Sequence, residues 1–263
     1  MNNKNYIVTV ATENYKEYLY TFVYSLAKNL EKSKYTLTVI HNGLSEVTIS
    51  NLNKLSEGVD IKLINIEEIS QKNILGEFIN QPTYWRFLVD IFVPENIDRC
   101  LYIDLDTLIL TDLGVLFNYD LEGNTIGACL DYLTTIADGV SNWEPLSLDP
   151  EKPYFNAGVL LIDLAKFRKN NISQNAVEIV VRNSNHLLAK GKWPQNDQYG
   201  LNVVLIDDWL MSPRVYNYGS GLDYLRPFIL HFIGGGKPGS NRCNSEFTKI
   251  YYEYKQKVDK ILE

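Results

Sequence analysis

The sequence predicts an α/β protein in which a mostly parallel central sheet is flanked by helices. Two observations predict it. Apolar strand-like runs alternate with segments of helical apolar spacing through the first half of the chain. Alternation of that kind favours parallel strands joined by helical crossovers. Finally, the apolar run RCLYI leads directly into two acids, Asp104 and Asp106, and open α/β sheets gather their ligands at the C-terminal ends of such strands.

The elements follow in order. KNYIVTVAT reads as a first buried strand, and YKEYLYTFVYSLAKNLEK as a helix. YTLTVIHN is a second strand. SEVTISNLNKLSEG is a helix with a serine start and a glycine stop. VDIKLINI is a third strand, PTYWRFLVDIFVP a helix with a proline near each end, and RCLYIDLD a fourth strand that continues through Thr107 and LIL. After Asp120 the rhythm changes. NTIGACLD is strand-like, and a long polar connection runs from Tyr132 to Pro153. YFNAGVLLIDL is a continuous apolar strand, NISQNAVEIVVRNSNHLLAKG a helix, RPFILHFIG the last strand, and SEFTKIYYEYKQKVDKILE a terminal helix. No repeat or linker interrupts this order. One domain is expected over 1–263, in two halves of about 1–120 and about 121–240, with a C-terminal helix about 244–263.

Composition narrows the partners. A net charge of −7 without a long basic block argues against nucleic acid. No window approaches the roughly 18 apolar residues of a membrane span. Three cysteines without metal-type spacing fit a reducing compartment, so a cytoplasmic location is expected. The terminal YYEYKQKVDKILE mixes tyrosines with lysines, but its acids favour a packed helix over more than weak peripheral contact with the inner membrane face. The sequence is silent on oligomeric state.

In an extended strand Asp104 and Asp106 would share a face at roughly 7 Å and repel each other. Turn-forming aspartates are one reading. A divalent cation neutralising a nucleotide diphosphate is another, with oxygen ligands suiting magnesium or manganese and an added imidazole favouring manganese. A phosphohydrolase of the haloacid-dehalogenase type, with Asp104 as nucleophile and Asp207–Asp208 as its later acidic pair, is a third. Leu108 stands where that motif wants threonine, and the motif comes too late in the chain.

Four further stretches bear on the choice: ATENYKEYL, YFNAGVLLIDL, WPQNDQYGLN and HFIGGGKPG. Together with YIDLDTLILTDL, in this order, the chain resembles the family 8 retaining glycosyltransferases over about residues 5–240. That family contains glycogenin and bacterial lipopolysaccharide galactosyltransferases. The resemblance implies a GT-A type, Rossmann-like nucleotide-sugar-binding fold and a metal-dependent hexosyltransferase, with a nucleotide-binding half about 1–120 and a sugar and acceptor half about 121–240. It would move glucose or galactose from a UDP-sugar to a glycan or glycoconjugate, in bacterial surface polysaccharide synthesis. A UDP-sugar-binding protein without activity is the competing class.

The resemblance carries over residue by residue. Asp104, Asp106 and His231 match the metal ligands, for Mn2+ or Mg2+. Ala11, Thr12, Asn14, Asp104, Gly234 and Lys237 match nucleotide-contacting positions. Arg86, Asp131, Asn156, Asp197 and Gln198 match sugar-side positions, and Gln198 and Asp197 are the candidates for the chemistry. An amide is a poor nucleophile, so front-face attack is preferred, with the β-phosphate oxygen taking the acceptor's proton.

The residues have readings of their own. His231 follows PFIL at a strand end, where a core histidine or a ligand fits. Glycines 234–236 would let backbone N–H groups turn inward around an anion, with Lys237 adding charge. Gly235 and Gly239 replace a proline and an aromatic residue common in the family. Thr12 or Asn14 reads as a helix N-cap, Glu13 stands where aspartate is frequent, and Tyr15 has two readings, stacking on the base or plain packing. Arg86, a charge in an apolar helix, needs an acid or a phosphate. The segment 131–153, with Trp143, reads as an acceptor-side lid.

Overall fold

The computed structural model describes residues 4–69, 76, 80–186, 196–222 and 226–263. The end of the helix expected over 171–191 and the Trp193–Gln195 part of WPQNDQYGLN lie outside the described residues. The chain forms two compact units interleaved in sequence: Met1–Glu68, Ile103–Asn118 and Pro213–Glu263 in one, Ile69–Tyr102 and Tyr119–Ser212 in the other.

In the first unit β1 (Asn5–Val10), β2 (Tyr35–His41) and β3 (Asp60–Asn65) are parallel in the order β3-β2-β1. All of β2 is buried, whereas β3 alternates towards solvent. A central strand buried on both faces reads as a continuous apolar and β-branched run, as YTLTVIH does. Helix α1 (Lys16–Asn29) buries Leu19, Phe22, Val23 and Leu26, at helical spacing. Helix α2 (Glu46–Leu55) starts where predicted, with the Ser45 side chain accepting from the Thr48 N–H.

A small second sheet, β5-β10-β9, completes this unit: β5 (Thr107–Ile109) is antiparallel to β10 (Ile229–His231), which is parallel to β9 (Tyr218–Gly219). Helix α9 (Ser245–Leu262) packs Phe247 and Tyr251 against Leu108, Tyr218, Leu230 and Phe232. The terminal helix is therefore a packed element, as its acids suggested.

In the second unit the order is β4-β7-β6-β8, with β4 (Arg99–Ile103), β6 (Ile126–Thr135), β7 (Pro153–Asp163) and β8 (Trp209–Met211). The pair β6–β7 is antiparallel and β6–β8 parallel. The parallel β6–β8 pair, the parallel β1–β2 and β2–β3 pairs of the first unit and the flanking helices are what the sequence predicts. The 82–94 segment differs. Pro82–Leu88 is a 3-10 helix, followed by a single turn, α3 (Val89–Phe92). The i, i+3 eclipsing of a 3-10 helix aligns Tyr84 with Phe87 and Trp85 with Leu88, and all four are buried.

The segment expected to be a lid is pinned. Strand β6 runs on to Thr135 and is followed by the turn α5 (Ile136–Gly139). Beyond it Asn142 accepts from Tyr199 Oη at 2.9 Å and donates to Asn183 Oδ1 at 2.9 Å. Cys100 and Cys129 are buried in β4 and β6, and no cysteine is in a disulfide. Among the described residues no helix is long and apolar enough to cross a membrane.

Candidate functional site

The acidic pair does not sit within one continuous strand. Strand β4 ends at Ile103, the chain turns through Asp104–Asp106, and Thr107 opens β5 in the small sheet. The Thr107 hydroxyl donates to the Asp104 carbonyl at 2.8 Å and tightens this turn. The antiparallel register places Thr107 opposite His231, and the Phe232 N–H donates to the Asp106 carbonyl at 2.9 Å. Two segments far apart in sequence are thereby fixed side by side through backbone bonds.

The side chains converge. His231 Nε2 lies 3.1 Å from Asp106 Oδ1 and 3.8 Å from Asp104 Oδ2. One ligand atom from each of Asp104, Asp106 and His231 falls within 4.8 Å of the others. Around a hard cation with bonds of about 2.1 Å, adjacent ligands stand roughly 3 Å apart and opposed ones roughly 4.2 Å. Two carboxylates and an imidazole at this spacing fit such an ion, Mg2+ or Mn2+ by ligand type. Lys237 pairs with the other oxygen of Asp106 and donates to the Phe232 carbonyl at 2.9 Å. Burial alone would raise the Asp106 pKa. The His231 imidazole and the Lys237 ammonium outweigh it and hold the carboxyl well below the usual carboxylate range. The cluster is built around an ionised Asp106.

The glycine loop after β10 is tied internally. Gly236 N–H donates to the Ile233 carbonyl at 2.8 Å, so this amide is not turned towards an anion. Ser220 Oγ donates to the Gly236 carbonyl at 2.6 Å, and Ser240 Oγ to that of Gly235 at 2.9 Å. Gly234 sits at φ 51°, in the left-handed region where glycine carries no Cβ penalty. A Cβ on Gly236 would meet Ser220 Oγ at 2.6 Å. The two serines restrain the loop at Gly235 and Gly236.

Ahead of α1, Ala11 is buried and its N–H donates to the Ile40 carbonyl at 2.9 Å. Thr12 holds the N-cap position of a short 3-10 turn, Glu13–Tyr15, that contains Asn14. Contrary to the capping expectation, no side chain caps that turn. Glu13 does the capping elsewhere: it accepts from Ser45 N–H at 2.9 Å and Thr48 Oγ1 at 2.9 Å, at the start of α2. The Ser45 amide bond is the main cause of its lowered pKa. Tyr15 is 52% exposed.

The second unit brings all five sugar-side residues into one network. Arg86 Nε pairs with Asp197 Oδ2 at 2.7 Å, and Thr83 Oγ1 donates to Asp197 Oδ1 at 2.6 Å. Arg86 Nη1 donates to the Ala157 carbonyl at 2.8 Å, while Gln198 Oε1 accepts from the Ala157 N–H at 2.9 Å. Asp131 Oδ2 accepts from Asn156 at 2.7 Å and from Gln198 at 3.2 Å. The β6–β7 register slips between Ala128 and Cys129, where their partners jump from Leu160 to Asn156. Ala157 falls inside this slip, where Gln198 and Arg86 take its backbone groups, and Asn202 binds both backbone groups of the neighbouring Phe155. Arg86 thus pairs with a site carboxylate, one of the two roles its sequence context suggested.

Sequence reasoning missed Thr83, Asn202, Ser220 and Asn217, whose Oδ1 lies 2.8 Å from His231 Nδ1. The acidic pair of the phosphohydrolase reading is committed elsewhere. Asp208 accepts from the N–H and hydroxyl of Thr125, and Asp207 pairs with Lys152 at 2.8 Å.

Comparison with known proteins agrees with this geometry. The model of glycosyl transferase family 8 matches residues 6–242. General stress protein A of Bacillus subtilis (strain 168) is 25% identical over 276 residues, 95% of this chain and 92% of that protein. Glycosyltransferase GlyF of Streptococcus pneumoniae serotype 4 (strain ATCC BAA-334 / TIGR4) is 29% identical over 208 residues, 74% of this chain but only 47% of GlyF. The crystal structure of galactosyltransferase LgtC with donor and acceptor sugar analogs superposes with a TM-score of 0.74 at 21% identity, covering 96% of this chain and 95% of LgtC. That of glycosyltransferase GlyE of Streptococcus pneumoniae TIGR4 gives 0.71 at 21% identity, covering 99% and 62%. These neighbours are GT-A glycosyltransferases, and their fold is the fold of this chain. The phosphohydrolase reading is thereby set aside, and the chain belongs to glycosyl transferase family 8.

Proposed function

We propose that this protein transfers a hexose, glucose or galactose, from a UDP-sugar to a glycan or glycoconjugate acceptor with retention of anomeric configuration. The observation that carries the reading is the convergence of Asp104, Asp106 and His231, with Lys237 on Asp106. A cation held by these three residues would supply charge neutralisation for the diphosphate. Lys237, on a loop braced by Ser220 and Ser240, adds a positive charge for the leaving diphosphate. Ala11, Thr12 and Asn14 would hold the nucleoside, and the exposed Tyr15 ring offers a face for the base.

The network of Arg86, Asp131, Asn156, Asp197 and Gln198 has the short polar groups that read sugar hydroxyls. Its bonds to Ala157 keep those groups in place as charge develops at the anomeric carbon. Both oxygens of Asp197 are already engaged, by Arg86 and Thr83. That supports front-face attack over a covalent intermediate on Asp197, with the acceptor's proton passing to the departing phosphate oxygen.

The test is UDP release from a panel of UDP-sugars, with manganese and with EDTA, and with Asp106→Asn as control. Manganese-dependent release from one sugar, lost in the variant, establishes the reaction and names the donor. UDP binding without release from any sugar, in the presence of glycan acceptors, makes this a binding protein. A chain that binds no UDP overturns the proposal.

A further inference from the structure

The metal-side cluster has a partner outside its ligands. Asn217 and His231 are 5% and 4% exposed, and Asn217 Oδ1 lies 2.8 Å from His231 Nδ1. An amide oxygen accepts and cannot donate. Nδ1 therefore carries a proton, and Nε2 is the ring nitrogen on the side of Asp106 Oδ1, 3.1 Å away, and Asp104 Oδ2, 3.8 Å away. With Nδ1 engaged by Asn217, Nε2 is the nitrogen left to join the two carboxylates on a cation.

We propose that Asn217 is a positioning residue: it fixes the His231 tautomer so that Nε2 is presented to a divalent cation. The inference rests on the reading of Asp104, Asp106 and His231 as a cation site.

The surroundings hold Asn217 to this task. Its N–H donates to the Arg214 carbonyl at 3.0 Å, closing a 3-10 turn that ends directly before β9. Strand β9 then pairs Tyr218 with Leu230 and Gly219 with His231. Ser220 N–H donates to the His231 carbonyl at 2.9 Å, and its carbonyl accepts from Asn244 N–H at 2.8 Å. Residues 217–220 therefore brace the imidazole through Asn217, the His231 backbone and glycine loop through Ser220, and the start of α9. Neither β9 nor this bracing was visible as a motif. Outer partners of metal-bound histidines typically set ligand orientation, and their loss costs about 10–100-fold in metal affinity.

Two measurements test the proposal on the full chain. The first is calorimetric titration of Mn2+ and Mg2+ into the wild type, Asn217→Leu, Asn217→Asp, His231→Ala and the Asn217→Leu/His231→Ala double variant. Asn217→Leu should weaken Mn2+ binding about 10–100-fold and Mg2+ binding less, because oxygen ligands dominate for magnesium. Asn217→Asp, which keeps the acceptor, should restore most of the Mn2+ affinity. In the His231→Ala background the Leu substitution should add almost nothing.

The second measurement needs no variant to fold as the reporter. Nitrogen-15 shifts of the metal-free wild type at pH 8 should show a proton on Nδ1 of His231, assigned against His231→Ala. A neutral ring protonated only on Nε2 overturns the inference. So does Mn2+ affinity unchanged by Asn217→Leu, or an equal loss without His231. A wild type that binds neither ion overturns the cation site itself. Normal Mn2+ binding that is indifferent to Asn217 overturns this inference alone.

Discussion

Replacing Arg86 by Met should cost the protein about 3 kcal/mol, near the low end of the 3–5 kcal/mol typical when one partner of a buried ion pair is removed. The structure sets that level. The Arg86 and Asp197 side chains are only 10% and 13% exposed, so water screens the pair little. Removing the guanidinium strands the Asp197 carboxylate, which keeps only the Thr83 hydroxyl at 2.6 Å among the bonds described above. It also strips a donor from the Ala157 carbonyl and a cation from the Tyr102 ring, 4.7 Å from the guanidinium carbon. The retained Thr83 bond is why the lower end applies. For chains of this size each kcal/mol moves the melting temperature by about 2–4 °C, so a fall of about 6–12 °C is expected. Thermal unfolding of Arg86→Met, Asp197→Asn and the double variant gives the coupling, expected at about 2–3 kcal/mol. A single-variant loss below 1 kcal/mol, or additive singles, would refute the account of Asp197 as a carboxylate held by Arg86.

Two further outcomes concern the first unit. Thr38, in the middle of β2, is fully buried, and its hydroxyl finds no partner among the described residues. Thr38→Val should therefore stabilise the protein by about 1 kcal/mol, the low end of the penalty for an unsatisfied buried group, and a destabilised variant in urea unfolding refutes this. His41 is pushed to a lower pKa by burial, with Glu68 opposing. The folded chain then binds fewer protons there than the unfolded chain, so the stability it supports is complete above the unfolded value of about 6.5 and is lost as pH falls through the lower folded value. His41→Asn retains an acceptor for the Gly43 N–H, now 3.0 Å from His41 Nδ1. It should lose less stability than wild type between about pH 7 and about pH 5, and parallel curves would rule out His41 as the source.

The first unit's parallel strands and helices were legible because each one is long enough to show its period. The β-α rhythm, the Ser45 cap and the apolar stripe of α1 are local signals, read within one turn or one strand. Strands β8 and β9 have three and two residues, too short for any alternation to register. The same limit hid the change of sheet at Asp104. YIDLDTLIL reads as a single strand, because nothing local says that Ile103 and Thr107 pair with different neighbours. The 3-10 form of 82–88 was hidden differently: its burial comes from packing, and apolar residues at i and i+3 suit either helix.

Site residues divided along a similar line. A carboxylate pair, a lone histidine before glycines and an arginine in an apolar helix each carry a chemical demand that a sequence reader can state without knowing the partner. What meets the demand is set by backbone register, over separations no pattern spans. Arg86, paired with Asp197, also takes the carbonyl of Ala157, which the slipped β6–β7 ladder leaves out of register, while Gln198 takes its N–H. His231 meets Asp106 only because β10 lies antiparallel to β5. The supporting amides and hydroxyls, Asn202, Ser220 and Asn217, make no demand of their own in sequence, since a polar residue in a loop is satisfied by water. Their roles exist only where folding has removed that water: Asn217 becomes informative because burial leaves its oxygen the His231 Nδ1 to accept from. The parts of this site that bind were announced by their charge; the parts that aim them were not.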